Sequence, residues 1–166
     1  MAIADLLLPE FDREMTTTRR LLERVPEEKF AWKPHPKSMS LVELATHVAA
    51  LPGWGAVTLN QSEIDMGGQN TNTAATSRAD LLARFDKNVA ETRAALTSKS
   101  DAEMMAHWSL KQNGQNLFTM PKAAVWRSFV LNHLVHHRGQ LSVYLRLNDV
   151  PVPAMYGPSA DEAPNF

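Results

Sequence analysis

The sequence predicts an all-α fold: an antiparallel four-helix bundle with a small hairpin-like insertion before its last long helix. Three observations lead there. Apolar residues recur at helical spacing in separate segments, Ser40 and Ser77 open two of them with helix-start signatures, and Asn113-Gly114 marks a tight turn ahead of the fourth. At 166 residues the chain fits one domain, 1–166, with 150–166 as an extended C-terminal tail.

The first helix is predicted from about Ile3 to Arg24, with Leu7, Phe11, Met15, Thr18 and Leu22 on its buried stripe, and Pro26 ends it. Pro26, Pro34 and Pro36 make the next stretch a connector, pinned by Phe30 and Trp32. The second helix opens at Ser40. Its hydroxyl can accept from the Glu43 amide while Glu43 reaches back to the Ser40 amide, with Met39 and Leu44 placed as a hydrophobic staple. Leu44, His47, Val48, Leu51 and Trp54 share a face, and Pro52-Gly53 is expected to kink or interrupt the helix.

Residues 66–76 are small and polar, hence a loop. Ser77 with Asp80 repeats the capping pattern and opens a third helix, its stripe being Leu81, Phe85, Val89, Thr92 and Leu96. Helical periodicity fades from Asp101 to Phe118, where residues on both sides of Asn113-Gly114 suit a hairpin. The fourth helix is predicted from Thr119–Pro121 to about Asn148, with Val130, His133, His137, Leu141 and Tyr144 on one side.

Composition narrows the function. The chain is 44% hydrophobic and 21% charged, and 17 basic against 18 acidic residues give a net charge of −1. That balance gives no reason to expect nucleic acid or an anionic membrane as partner. With no cysteine, disulfides, a thiol nucleophile and thiolate metal ligation are excluded, so any metal must use His, Asp or Glu. The start MAIADLLLPEFDRE lacks the pattern of a signal peptide, and no apolar run approaches the ~20 residues of a membrane span. The cytoplasm is the expected location.

His133 and His137, four residues apart, stack on one helix face with Cβ atoms about 5–6 Å apart. His47 offers a third nitrogen from another helix, and helical bundles build metal sites from such inward side chains. Three protein ligands leave a position open, as in catalytic sites. The competing account is that a histidine on an apolar stripe is a core residue satisfied by a hydrogen bond, and spacing alone does not separate the two.

Two stretches carry a resemblance. NHLVHHRGQLSVYLRLNDVPVPAMYGPSADE, Asn132 to Glu162, looks like the C-terminal signature of the DinB/YfiT-like family, and SLVELATHVAALPGW, Ser40 to Trp54, looks like the capped helix that carries that family's first ligand. The resemblance implies a four-helix bundle, commonly homodimeric, with a divalent transition metal such as zinc or nickel held by His47, His133 and His137. His136 is the ambiguous neighbour. The family pattern H-x-x-H-H-R-G-Q uses its first and last histidines, which favours His137. Gly139 is expected to allow another helix close, Gln140 to orient a ligand or a bound water, and Arg138 to pair with a carboxylate, one in the tail being a candidate. His35 and His107 read as surface histidines, and Tyr144 as a packing residue.

The resemblance implies a metal-dependent enzyme acting on a small molecule, either by transfer or isomerisation with a low-molecular-weight thiol or by hydrolysis. The other class is a non-enzymatic metal-binding or stress-response protein with a structural metal. No catalytic residue is assigned. Glu43, Asp161 and Glu162 are the carboxylates that come into question, and capping explains Glu43 equally well.

Overall fold

Helix α1 (Ile3–Leu22) buries Phe11, Met15, Thr18 and Leu22 of the stripe its periodicity marks, and leaves Leu7 half-buried. The structure, a computed structural model, describes residues 2–68 and 73–163. Helix α2 (Leu41–Asn60) starts with the full capping box: the Glu43 amide donates to Ser40 Oγ at 3.3 Å and the Ser40 amide to Glu43 Oε2 at 2.6 Å. Helix α3 (Arg78–Thr97) has only half of the expected device. The Asp80 amide reaches Ser77 Oγ at 3.0 Å, while the Asp80 carboxylate takes the Thr76 amide and Arg84.

Pro52 neither breaks nor ends α2, and α3 supplies hydrogen bonds to the backbone around it. The Thr92 hydroxyl sits between the two groups that would otherwise bond along the helix, donating to the Pro52 carbonyl at 2.6 Å and accepting from the Ala56 amide at 3.0 Å. Asn88 Nδ2 donates to the Ala49 carbonyl at 3.0 Å. A Cβ on Gly55 would come within 2.4 Å of Thr92 Cγ2, so the missing side chain is what lets the helices meet so closely.

Short helix α4 (Asp101–Met105) carries a capping box that the fading periodicity hid, Ser100 with Glu103. Asp101 also reaches across the fold to accept from the Ile3 amide at 2.7 Å, capping the start of α1. Strands β2 (His107–Gln112) and β3 (Gln115–Pro121) then form the expected hairpin around Asn113 and Gly114, both at positive φ.

The all-α class requires correction. A third strand, β1 (Glu63–Asp65), pairs in parallel with β2, so the described residues hold a three-stranded mixed sheet in the order β1-β2-β3 beside the helices. The protein is mostly helical and is not a pure four-helix bundle. The strand forms because Asp65 accepts from the amides of Gly67, Asn113 and Gly114 at 2.7–2.9 Å, fixing the end of β1 to the hairpin turn. Trp108, Leu110 and Val125, with Ile64, Phe118 and Met120 against them, form a small apolar cluster of the sheet's own.

After the sheet the chain is helical from Lys122 to Leu147: α5 (Lys122–Val125), a wider-wound π segment (Trp126–Asn132) and α6 (His133–Leu147). It begins a few residues later than the sequence suggests because Thr119–Pro121 pair in β3. The main core gathers Phe11, Leu44, Val48, Phe85, Trp126 and Leu141 from the long helices. Gly139, expected to admit a neighbouring helix, instead faces open space.

The tail folds back over α1 and α6. Glu162 binds Arg20 at 2.5 Å and Arg24 at 2.7 Å, and Asp161 binds Arg146 and the Val152 amide. Arg138, almost fully buried, pairs with Glu14 of α1 at 2.6 Å and meets the tail through the Tyr156 hydroxyl at 2.5 Å. Its carboxylate is thus on α1, and the tail contributes a phenol. Phe166 lies outside the described residues.

Candidate metal centre

The capping box at Ser40 starts α2 about two turns before His47, and the π segment ends where His133 begins. A π segment inserts extra backbone into a helix and turns the following side chains relative to those before it. On α6 the fully buried stripe is Leu134, Arg138, Leu141 and Leu145. His133 and His137 lie on its flank, half-buried, rather than on the innermost face with Leu141. That flank faces the half-buried His47 of α2.

The three imidazoles converge. His133 Nε2 is 3.3 Å from His47 Nε2 and 2.9 Å from His137 Nε2, and one nitrogen from each ring lies within 4.8 Å of the others. The outer nitrogens of the α6 pair are engaged elsewhere. His137 Nδ1 meets Gln140 Oε1 at 2.8 Å, and the His133 ring is hydrogen-bonded to the backbone of Phe129. An amide oxygen can only accept, so the Gln140 contact places the His137 proton on Nδ1 and leaves its Nε2 lone pair facing the centre, where His47 and His133 also present Nε2. Burial is the first cause that holds the rings neutral. It pushes His47 down to about 4, with His137 and His133 adding to the effect. It also lowers His133, against the Phe129 contact, and His137, against the Gln140 bond.

Three neutral nitrogen donors aimed at one point suit a divalent ion. The residues therefore fit a metal, which His47, His133 and His137 could hold. His136 does not join them. Its ring is exposed and its Nε2 lies 3.0 Å from Gln140 Nε2, so Gln140 bridges His136 and His137. His35 and His107 are exposed and apart from the cluster.

Beside His47 opens a cavity of about 400 Å³, lined also by Lys37, Ser38, Met39, Glu43 and Thr46. The connector that forms its wall is anchored: the Tyr144 hydroxyl donates to the Met39 carbonyl at 3.2 Å, and the Tyr144 ring packs edge-on to Trp32. Thr46, buried next to His47, accepts from the Ala75 amide at 2.9 Å and draws the segment before α3 against α2. The sequence reading missed Lys37, Ser38 and Thr46. Only proximity in sequence to Ser40 and His47 could have pointed to them. Glu43 is the one carboxylate lining the cavity among the described residues. Its bonds to the Ser40 amide and hydroxyl, and then Lys33 at 3.7 Å, hold its carboxyl below the usual range. Asp161 and Glu162 are bound to arginines in the tail's attachment.

Long helices with a small mixed sheet and a three-histidine cluster beside an open cavity define a class: mostly helical proteins whose facing helices bring together residues that could hold a metal ion. The sequence matches the DinB family over residues 1–164, and the chain belongs to that family. It is 26% identical over 164 residues to an uncharacterized protein, YrdA, of Bacillus subtilis (strain 168), covering 98% of this chain and 93% of that one. Its fold resembles the crystal structure of a DinB-like protein from Bacillus cereus ATCC 10987, with a TM-score of 0.69 and 22% identity over 90% of this chain and 95% of that one. A DinB-like protein of Bacillus subtilis, YjoA, gives the same TM-score at 20% identity over 89% and 96% of the two chains. No helix among the described residues is long and apolar enough to cross a membrane.

Proposed function

We propose that this protein is a metal-dependent enzyme acting on a small molecule, with zinc or nickel on His47, His133 and His137 and a low-molecular-weight thiol as its co-substrate. The observation that carries this reading is the convergence of three neutral imidazoles beside a cavity of about 400 Å³. Three ligands leave coordination positions open, and a bound divalent metal supplies Lewis acidity that lowers the pKa of a thiol or water at such a position.

The choice of a thiol over hydrolysis follows from the carboxylates. Glu43 is held by the Ser40 amide and Lys33, so among the described residues the cavity offers no free general base. A thiol on a metal is deprotonated by coordination itself and needs none. The chain's own part is to present Nε2 lone pairs, to fix two rings through Phe129 and Gln140, and to hold the cavity wall through Tyr144 and Trp32.

In this reading the protein acts as a homodimer. Val143 and Leu147 are exposed on α6, four residues apart and in line with Gly139, a stripe suited to a second copy. The tail gives less reason than its composition suggests, because Val152 and Ala154 are buried and Met155 packs on the chain's own core. Light scattering at micromolar concentration should give twice the 18.5 kDa chain mass.

The test is elemental analysis of purified protein, followed by a screen of thiols with electrophilic substrates. Wild type should carry close to one metal per chain and the His133→Ala, His137→Ala double variant almost none. Equal metal in both sinks the site. Full metal loading with no thiol-dependent turnover, and turnover of ester or amide substrates instead, moves the assignment to hydrolysis. Loading with no turnover of either kind leaves a metal-binding protein.

A further inference from the structure

The cavity beside His47 has a charged outer wall that the metal cluster does not use. Lys37 lines it, and Lys37 has no ion-pair partner among the described residues. Its backbone is fixed: the Lys37 amide donates to His35 Nδ1 at 3.2 Å and the Ser38 amide to the His35 carbonyl at 2.9 Å. The next residue, Met39, is held by the Tyr144 hydroxyl. Ser38 and Thr46 add hydroxyls to the same lining.

The sign of the cavity follows by counting the groups that face it. Glu43 contributes one negative charge, offset by Lys33 at 3.7 Å. Of the three histidines only His47 lines the cavity. On the far side of Thr46, Arg84 is tied to Asp80 at 2.7 Å and Lys87 lies 3.9 Å from Glu91. Lys37 is therefore the cation left over, and a divalent ion on the histidines would add further positive charge. A molecule that fills this space meets His47, one of the three converging imidazoles, and the Lys37 side chain.

We infer that the small molecule bound here is anionic at the end remote from the metal, a carboxylate or similar oxyanion recognised by Lys37 with Ser38 beside it. This inference rests on the metal assignment above and adds the class of ligand. The specificity is electrostatic: a ligand with an amine in place of the distal carboxylate leaves Lys37 facing a like charge.

The experiment uses cobalt(II)-loaded full-length protein, whose visible spectrum reports ligands entering the metal's open positions. Two probe pairs are titrated: 3-mercaptopropionate against cysteamine, and the monohydroxamate of succinate against acetohydroxamate. Each is compared in wild type, Lys37→Glu and Lys87→Glu. Taking each ligand's ratio between proteins cancels its intrinsic affinity for metal. Lys37→Glu should weaken 3-mercaptopropionate about tenfold and leave cysteamine equal or tighter, a contrast that shrinks in 1 M salt. Lys87→Glu, the same change of charge on an exposed neighbour, should leave the ratios near one.

Ratios unaffected by Lys37→Glu overturn the inference and leave the metal assignment standing. Equal effects from Lys87→Glu also overturn it, because the selectivity would then belong to the general field. If no thiol binds but the hydroxamates show the Lys37 contrast, the inference holds and the thiol reading falls. If neither class binds, both fall.

Discussion

Replacing Gln140 with leucine separates a ligand from the group that aims it. Gln140 Oε1 lies 2.8 Å from His137 Nδ1, and Gln140 Nε2 lies 3.0 Å from His136 Nε2. Gln140→Leu removes the acceptor that fixes the His137 tautomer, while the ring keeps its place on α6. Losses of such supporting groups cost about 10–100-fold in metal affinity. Gln140 is exposed and water can replace part of its bond, so the low end applies: about tenfold, or about 1.4 kcal/mol. His137→Gln removes a donor outright and should cost more than Gln140→Leu. His136→Gln should stay within about threefold of wild type, since the new amide oxygen can still accept from Gln140. Competition against a chromophoric zinc chelator at pH 7.5 gives the three affinities, with helical circular dichroism and a cooperative melt confirming that each variant is folded. If His136→Gln loses the metal and His137→Gln keeps it, the ligand pair is spaced by three and the geometry argued above is wrong. If Gln140→Leu binds like wild type, Gln140 does not orient His137.

Thr92→Val should destabilise the fold by about 1–3 kcal/mol, because it leaves the Pro52 carbonyl and Ala56 amide without their shared partner while preserving shape; urea unfolding checks this, and Thr92→Ser, which keeps the hydroxyl, should cost less. Arg138→Met strands Glu14 in the interior and should cost about 3–5 kcal/mol, part of it recovered in the Glu14→Gln, Arg138→Met double variant. Metal-free protein should lose stability as pH falls from 6.5 towards 4. His47 has a folded pKa of about 4 against 6.5 in the unfolded chain, so in that window the unfolded state binds more protons, and the contribution is complete above 6.5. For a half-exposed ring, solvent reduces that contribution to about 1 kcal/mol. Melts of wild type and His47→Gln across this range should diverge in slope, and parallel curves would contradict the burial of His47.

What the sequence made legible was the local chemistry. The Ser40 box, the stripe of α1 and the Asn113-Gly114 turn depend on residues within a few positions of one another, so spacing alone reveals them. The ligand set needed more, since spacing could pair His133 with either His136 or His137, and the resemblance favoured the pair that the structure brings to His47. What stayed hidden was paired over long separations. Glu63–Asp65 is too short to show alternation, and its order comes from amides some fifty residues away. The hydroxyl that bonds the Pro52 carbonyl within α2 comes from forty residues on. The site shows the same division. A 3.6-residue period carried from Val130 runs through the π segment, which ends at Asn132 and alters how Val130 relates to the histidines; within α6 the buried stripe is Leu134, Arg138, Leu141 and Leu145, and the regular helix sets His133 and His137 on its flank. On that flank burial lowers the proton affinity of His133 and His137, and both rings meet His47, the one of the three that lines the cavity with Lys37 and Ser38. The flank is a middle position, for a ring on the innermost face would have no access to a ligand, and a ring turned further outward would be protonated more readily and would bind metal less well.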